Sequence, residues 1–150
     1  MHHQNHYLDQ LLLKEIYQIP DTQFKQRLAY LSESLGIEKE LNVQVRKLSL
    51  GERMKVELIA ALLHQPKVVF LDEPTIGLDL SAQKAVRRFI KEYRKEFNPI
   101  MILTSHYMDD IEDLCDRIII MKEGEFVYDG SIKQVQQEYA QSKLVTAQAS

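Results

Sequence analysis

The 150 residues carry 19 Lys+Arg against 22 Asp+Glu, a net charge of −3, with 45% hydrophobic and 27% charged residues. That balance describes one folded domain or part of one, excludes a disordered tail or a fibrous repeat, and offers no basic face for nucleic acid. A single cysteine, Cys115, excludes an internal disulfide framework and suits a reducing compartment. No apolar run approaches the roughly 18 residues of a membrane span, and the N-terminus is polar, so the expected location is cytoplasmic or peripheral. None of Gly36, Gly51, Gly77, Gly124 or Gly130 is followed by Lys-Ser or Lys-Thr, so these residues contain no phosphate-cradling P-loop.

Residues 1–7, with three histidines, read as a disordered start; no second cluster completes a metal site there. Leu8 to Tyr17 and Thr22 to Leu35 read as amphipathic helices, the second with Phe24, Leu28, Leu31 and Leu35 on one face and Gly36 at its end. A third helix is expected from about Leu50 to His64, with Met54, Leu58, Ala61 and Leu62 inward and His64 at its C-terminus. From Lys67 the pattern changes. Val68-Val69-Phe70-Leu71, Ile100 to Leu103 and Ile118 to Met121 are continuous β-prone runs of the kind buried on both faces of a parallel sheet. A helix from about Ser81 to Phe97, with Val86, Ile90, Tyr93 and Phe97 inward, separates the first two runs, and a shorter helix follows His106. Lys122-Glu123-Gly124-Glu125 joins the third run to Phe126-Val127-Tyr128 as a hairpin, ahead of an Asp129-Gly130-Ser131 turn and a last helix. The predicted layout is α/β, a helical part over 8–65 followed by a part with parallel strands over 66–150.

Three segments carry chemistry. Asp72-Glu73 follows the first buried run, where polar groups at the carboxyl end of a strand face the ligand crevice of an α/β sheet. Two adjacent carboxylates there suit a division of labour, one holding Mg²⁺ and the other orienting water; the alternative is a solvated loop. Ser49 and Glu52 have the spacing of a capping box, and with Gly51 they open a helix whose exposed N–H groups suit an anion as well as a plain cap. Thr104-Ser105-His106 falls at the same sheet edge as Asp72, where His106 either meets a phosphoryl oxygen or packs in a βα loop. No Gly-x-Ser-x-Gly elbow accompanies Ser105, which argues against nucleophilic catalysis.

In this order the segments resemble those of the ATP-binding cassette (ABC) ATPases. Leu48-Ser49-Leu50-Gly51-Glu52 is similar to the family's signature motif, with Leu50 where a second glycine often stands and Glu52 where Gln is common. Val68 to Pro74 resembles the Walker B segment, Gly77-Leu78-Asp79 the D-loop and Thr104-Ser105-His106 the switch histidine. The run from Ser105 to Asp110 and Asp129-Gly130-Ser131 further resemble ATPase subunits of ABC-2 type exporters.

The resemblance implies a partial P-loop NTPase core with a helical subdomain, serving as the ATP-binding, ATP-hydrolysing subunit of an exporter and coupled to a transmembrane permease on the inner face of the membrane. By it, Asp72 assists Mg²⁺ directly or through a water, Glu73 polarises the attacking water and His106 contacts the γ-phosphate of the same protomer's ATP. Ser49 and Gly51 would touch ATP held by a second nucleotide-binding domain in a homo- or heterodimer, and Asp79 would lie at that interface. The family's Walker A loop is missing from these residues, so the chain reads as the C-terminal half of such an ATPase, a truncated or split form that is inactive alone. Apolar surface is then expected where the missing strands would pack. The alternative is a non-catalytic interaction module that completes a partner cassette's ATP site through its signature helix. A chromosome-maintenance ATPase lobe would need a long coiled coil, and no sustained heptads are present.

Overall fold

A computed structural model describes residues 6–135 and 137. Most of the predicted start over 1–7, and most of the last helix, therefore lie outside the described residues, although residues 132–135 are helical. The chain forms two compact units that divide after His106.

The first unit opens with two helices, α1 (His6–Ile16) and α2 (Asp21–Leu35). Lys14 forms an ion pair with Asp21 across the turn between them, which raises the Lys14 pKa and lowers that of Asp21. The expected stripe of α2 is buried as read: Phe24, Leu28, Leu31 and Leu35 all face the core. Gly36 ends the helix at φ 64°, a left-handed conformation that glycine adopts without a Cβ penalty, and its N–H bonds the Glu33 carbonyl. Helix α3 (Leu50–Leu62) is shorter than expected by two residues, and the face it buries is Val56, Leu58, Ile59 and Leu62. Met54 is only half-buried and Ala61 is exposed, so the inward stripe is rotated from the one expected. His64 lies beyond this helix, its ring stacked on Tyr17 at 3.9 Å and 4°. Burial, reinforced by the nearby Arg27 charge, holds the His64 pKa below its ordinary value.

Strand β1 (Val68–Asp72) pairs in parallel with β2 (Ile100–Thr104), in register from Val68↔Ile100 to Asp72↔Thr104. Parallel neighbours need a long crossover, supplied by α4 (Leu80–Phe97). This helix buries Val86, Phe89, Ile90 and Tyr93 as the core of the unit, while Phe97 stands partly exposed at its end. Burial also pushes the Tyr93 phenol up to about 12, and its hydroxyl donates to the Leu62 carbonyl at 3.4 Å. The strands depart from the expected burial on both faces. Val69 and Leu71 are buried, but Val68, Ile100, Ile102 and Phe70, the last 72% exposed, form an open apolar face. Successive side chains alternate across a strand, so Asp72 and Thr104 belong to this same open face.

In the second unit, α5 (Met108–Leu114) precedes β3 (Arg117–Lys122) and β4 (Glu125–Ser131). Here the third apolar run departs from expectation: β3 pairs with β4 antiparallel and has no parallel neighbour among the described residues. A two-residue connection permits only that pairing. The hairpin is present as read, but Asp129, Gly130 and Ser131 continue β4 rather than forming a turn. Asp129 is held there by a two-pronged ion pair with Arg117, at 2.7 and 2.6 Å, which lowers its pKa.

Two outcomes follow from this packing. Phe89→Ala is expected to lower unfolding free energy by about 3–5 kcal/mol in a urea titration, and Phe70→Ala by less than about 1 kcal/mol. The depressed His64 pKa means that the unfolded chain binds the proton more readily, so its contribution to stability is complete above the ordinary histidine pKa and falls as pH drops towards the folded value. The wild-type urea midpoint should accordingly fall more between pH 7.5 and 5.5 than that of His64→Asn.

Candidate functional site

The site is built by the carboxyl ends of β1 and β2. Their register sets Asp72 beside Thr104, whose hydroxyl donates a hydrogen bond to Asp72 Oδ1. One residue further, the Glu73 N–H donates to the Thr104 carbonyl at 3.0 Å and to its Oγ1 at 3.3 Å. Thr104 therefore ties both carboxylate residues to the end of β2. Glu73 itself sits at φ 49°, left-handed backbone that costs a non-glycine residue about 1–3 kcal/mol and collects at functional sites. This conformation lets its carboxylate meet His106: Oε2 accepts from the His106 backbone N–H at 3.2 Å, and Oε1 lies 3.2 Å from Nε2. The Glu73 side chain is 18% exposed while that of His106 is 88% exposed. A shielded carboxylate is thus gripped by a residue whose ring reaches solvent.

The loop beyond Glu73 is a compact turn. The Ile76 N–H bonds the Glu73 carbonyl at 3.1 Å, and the Leu78 N–H bonds that of Thr75 at 3.3 Å. Gly77 adopts φ 70°, the positive value its position requires. Asp79 caps α4 by accepting from the Ala82 N–H at 2.8 Å. Gln83, buried one turn later, donates from Nε2 to the Thr75 carbonyl at 3.4 Å and so anchors the turn from inside.

The start of α3 faces this loop. Ser49 and Glu52 form the expected capping box: the Glu52 N–H donates to Ser49 Oγ at 3.2 Å, and the Ser49 N–H to Glu52 Oε2 at 2.7 Å. The Glu52 carboxylate is thereby folded back onto the cap. A Cβ on Gly51 would meet Leu78 Cδ2 at 3.7 Å and Ala82 Cβ at 3.8 Å, so this helix start packs on the Gly77–Asp79 loop. The structure thus brings Asp72, Glu73 and His106 into one cluster, and sets Gly51, two residues after Ser49, against Leu78 and the first turn of α4.

Two residues of the site were not assigned a part from sequence. In the sequence Thr104 is only the lead-in to His106, because its place opposite Asp72 exists only once the strands pair. Gln83 left a trace, a polar residue in line with Val86, Ile90 and Tyr93 on the inward stripe of α4.

Replacing either polar anchor should be measurable. Thr104→Val is expected to destabilise the chain by about 1 kcal/mol and Thr104→Ser to restore it, while Ser49→Ala costs about 0.5–2 kcal/mol, all read from urea midpoints.

Comparison with known proteins agrees with this architecture. Residues 3–107 match the family model described as "AAA domain, putative AbiEii toxin, Type IV TA system". The ABC transporter ATP-binding protein NatA of Bacillus subtilis is 34% identical over 118 residues, 79% of this chain and 48% of NatA. The chain spans between about a fifth and about half of the length of the curated relatives it matches. Among solved structures, an ATP-binding subunit of an ABC transporter superposes with a TM-score of 0.78 at 22% identity, covering 93% of this chain and 58% of that one. The cbiO1 protein of Clostridium perfringens, part of the ABC transporter complex cbiONQ, gives 0.70 at 29% identity, covering 86% and 51%. Fold and matches agree: the chain belongs to the AAA-domain family, and its curated and structural relatives are ATP-binding proteins of ABC transporters.

Proposed function

We propose that this chain supplies the water-activating and partner-facing parts of the ATP-binding subunit of an ABC exporter, coupling hydrolysis of ATP to transport through a membrane permease. The observation that carries this reading is the convergence of Asp72, Thr104, Glu73 and His106 at the carboxyl end of one parallel strand pair. Such an edge is where α/β folds bind ligands. In this reading residues 8–65 are the helical subdomain with the signature motif, and 66–150 are the C-terminal part of the catalytic core. The exporter assignment is supported by the likeness of Ser105 to Asp110 and of Asp129-Gly130-Ser131 to ABC-2 type ATPases.

The donor set fits Mg²⁺, a hard ion that takes one or two carboxylates and fills its remaining positions with water and phosphate oxygens. Asp72 would hold it directly or through a water, with the Thr104 hydroxyl fixing one carboxylate oxygen. When bound, the ion neutralises phosphate charge. Glu73 orients the attacking water and accepts its proton. Its two oxygens now engage His106, so His106 exchanges the carboxylate for a γ-phosphoryl oxygen as substrate enters, which frees Glu73 to act. Ser49 and Gly51, at the head of α3, meet the phosphate of ATP held by a second nucleotide-binding domain, and Asp79 lies at that interface. A position at the cytoplasmic face of the membrane, beside the permease, completes the assignment; the balanced charge gives no reason to include nucleic acid.

A second reading is a non-catalytic module that lends the start of α3, packed on the Gly77–Asp79 loop, to a partner cassette's ATP site.

The pure 150-residue chain is expected to bind Mg-ATP only weakly in calorimetry and to release no phosphate above background; stoichiometric micromolar binding with turnover would overturn this. Mixed with an intact cassette protein, it should associate in an ATP-dependent way. Where a P-loop-bearing segment completes this chain's own nucleotide site, Glu73→Gln should lower hydrolysis there by about 100-fold or more. Association retained with an unchanged rate would favour the module.

A further inference from the structure

We propose that Leu50 is a positioning residue that couples the start of α3 to the loop carrying Glu73. Its functional meaning rests on the reading above, in which both ends of the coupling serve phosphate chemistry. Leu50 is the first residue of α3 and 51% exposed, so it is not held there by core burial. Its Cδ2 methyl nevertheless lies over the α-carbon of Gly77, where an added Cβ would come within 2.9 Å. The neighbouring Gly51 extends the same contact to Leu78 and Ala82. A glycine at position 50 would leave the first of these contacts unmade.

The loop that Leu50 touches is held by its own hydrogen bonds. It is closed by the Ile76-to-Glu73 and Leu78-to-Thr75 hydrogen bonds, capped by Asp79 and pinned by Gln83. Gly77 is already committed to positive φ, and Glu73, four residues earlier, occupies the same region at the cost a non-glycine residue carries there. A shift of the α3 start is therefore passed through Leu50 and Gly77 to the backbone of Glu73, and from its carboxylate to the N–H of His106. By reciprocity, loss of the Glu73–His106 bonds alters the α3 start by the same coupling free energy. An anion bound at Ser49 and Gly51 and the aim of Glu73 are thus linked within one chain.

The test needs no nucleotide, so its outcome is independent of whether the ATP reading stands. In the full chain, Leu50→Ala should speed amide hydrogen exchange at Ile76 and Leu78 about tenfold and move the His106 backbone amide resonance. Leu50→Met, which refills the volume, should restore both, and the thermal midpoint of either variant should stay close to wild type because residue 50 is half-exposed. Changes confined to residues 49–53, or a His106 resonance unmoved by Leu50→Ala, would overturn the proposal. A loss of protection spread evenly over α2 and α4 would also overturn it, since that pattern marks general destabilisation.

Discussion

The parallel pairing of β1 with β2 is the constraint on which the rest of the first unit depends. Two parallel neighbours cannot be joined by a tight turn, so the chain must leave β1, travel back along a helix and re-enter. That requirement makes α4 obligatory, and α4 in turn contributes Val86, Phe89, Ile90 and Tyr93 to the core. It also leaves both strands ending on the same edge. Asp72 and Thr104 are therefore opposed by register, and Glu73 and His106 meet because each lies one or two residues past its strand.

Around that edge one non-glycine residue, Glu73, is held in an unfavourable conformation by a dense set of short-range bonds. Glu73 and Gly77 have positive φ, while Thr104, Asp79 and Gln83 each tie one part of the intervening loop. Each tie comes from regular structure: the end of β2 or the first turn of α4. This is how a site obtains a preset carboxylate without a flexible loop. The open apolar face of the sheet, by contrast, is unsupported among the described residues, and it runs along the strands directly to Asp72 and Thr104.

Helix starts and stops were legible because they depend on neighbours in sequence. The Ser49–Glu52 box, the Gly36 stop and the buried stripe of α2 all appear as read, since an N-cap hydroxyl or a 3.6-residue repeat acts over a few residues. Burial of the apolar runs was not legible in the same way. A run of four apolar residues has the same composition whether its second face is covered or open, and whether it pairs parallel or antiparallel. Phe70 and Ile102 are thus exposed, and Ile118 to Met121 belongs to an antiparallel hairpin. The inward stripe of α3 differs from the expected one for a related reason. With apolar residues around much of its circumference, only the helices packed against it decide which of Met54 or Val56 turns inward.

By itself, then, the sequence determined the element order, the caps and the residue types at each strand end, because these follow from local sterics and periodicity. It also placed Asp72, Glu73 and His106 at strand ends while leaving open whether they meet. Only the tertiary structure decided that Thr104 bonds both Asp72 and Glu73, that Gln83 supports the loop from within, and that Leu50 rests on Gly77. Each of those contacts joins residues that are distant in the chain or lie on different elements. Their existence depends on strand register and helix packing, which are set by burial of the whole unit and not by any local pattern.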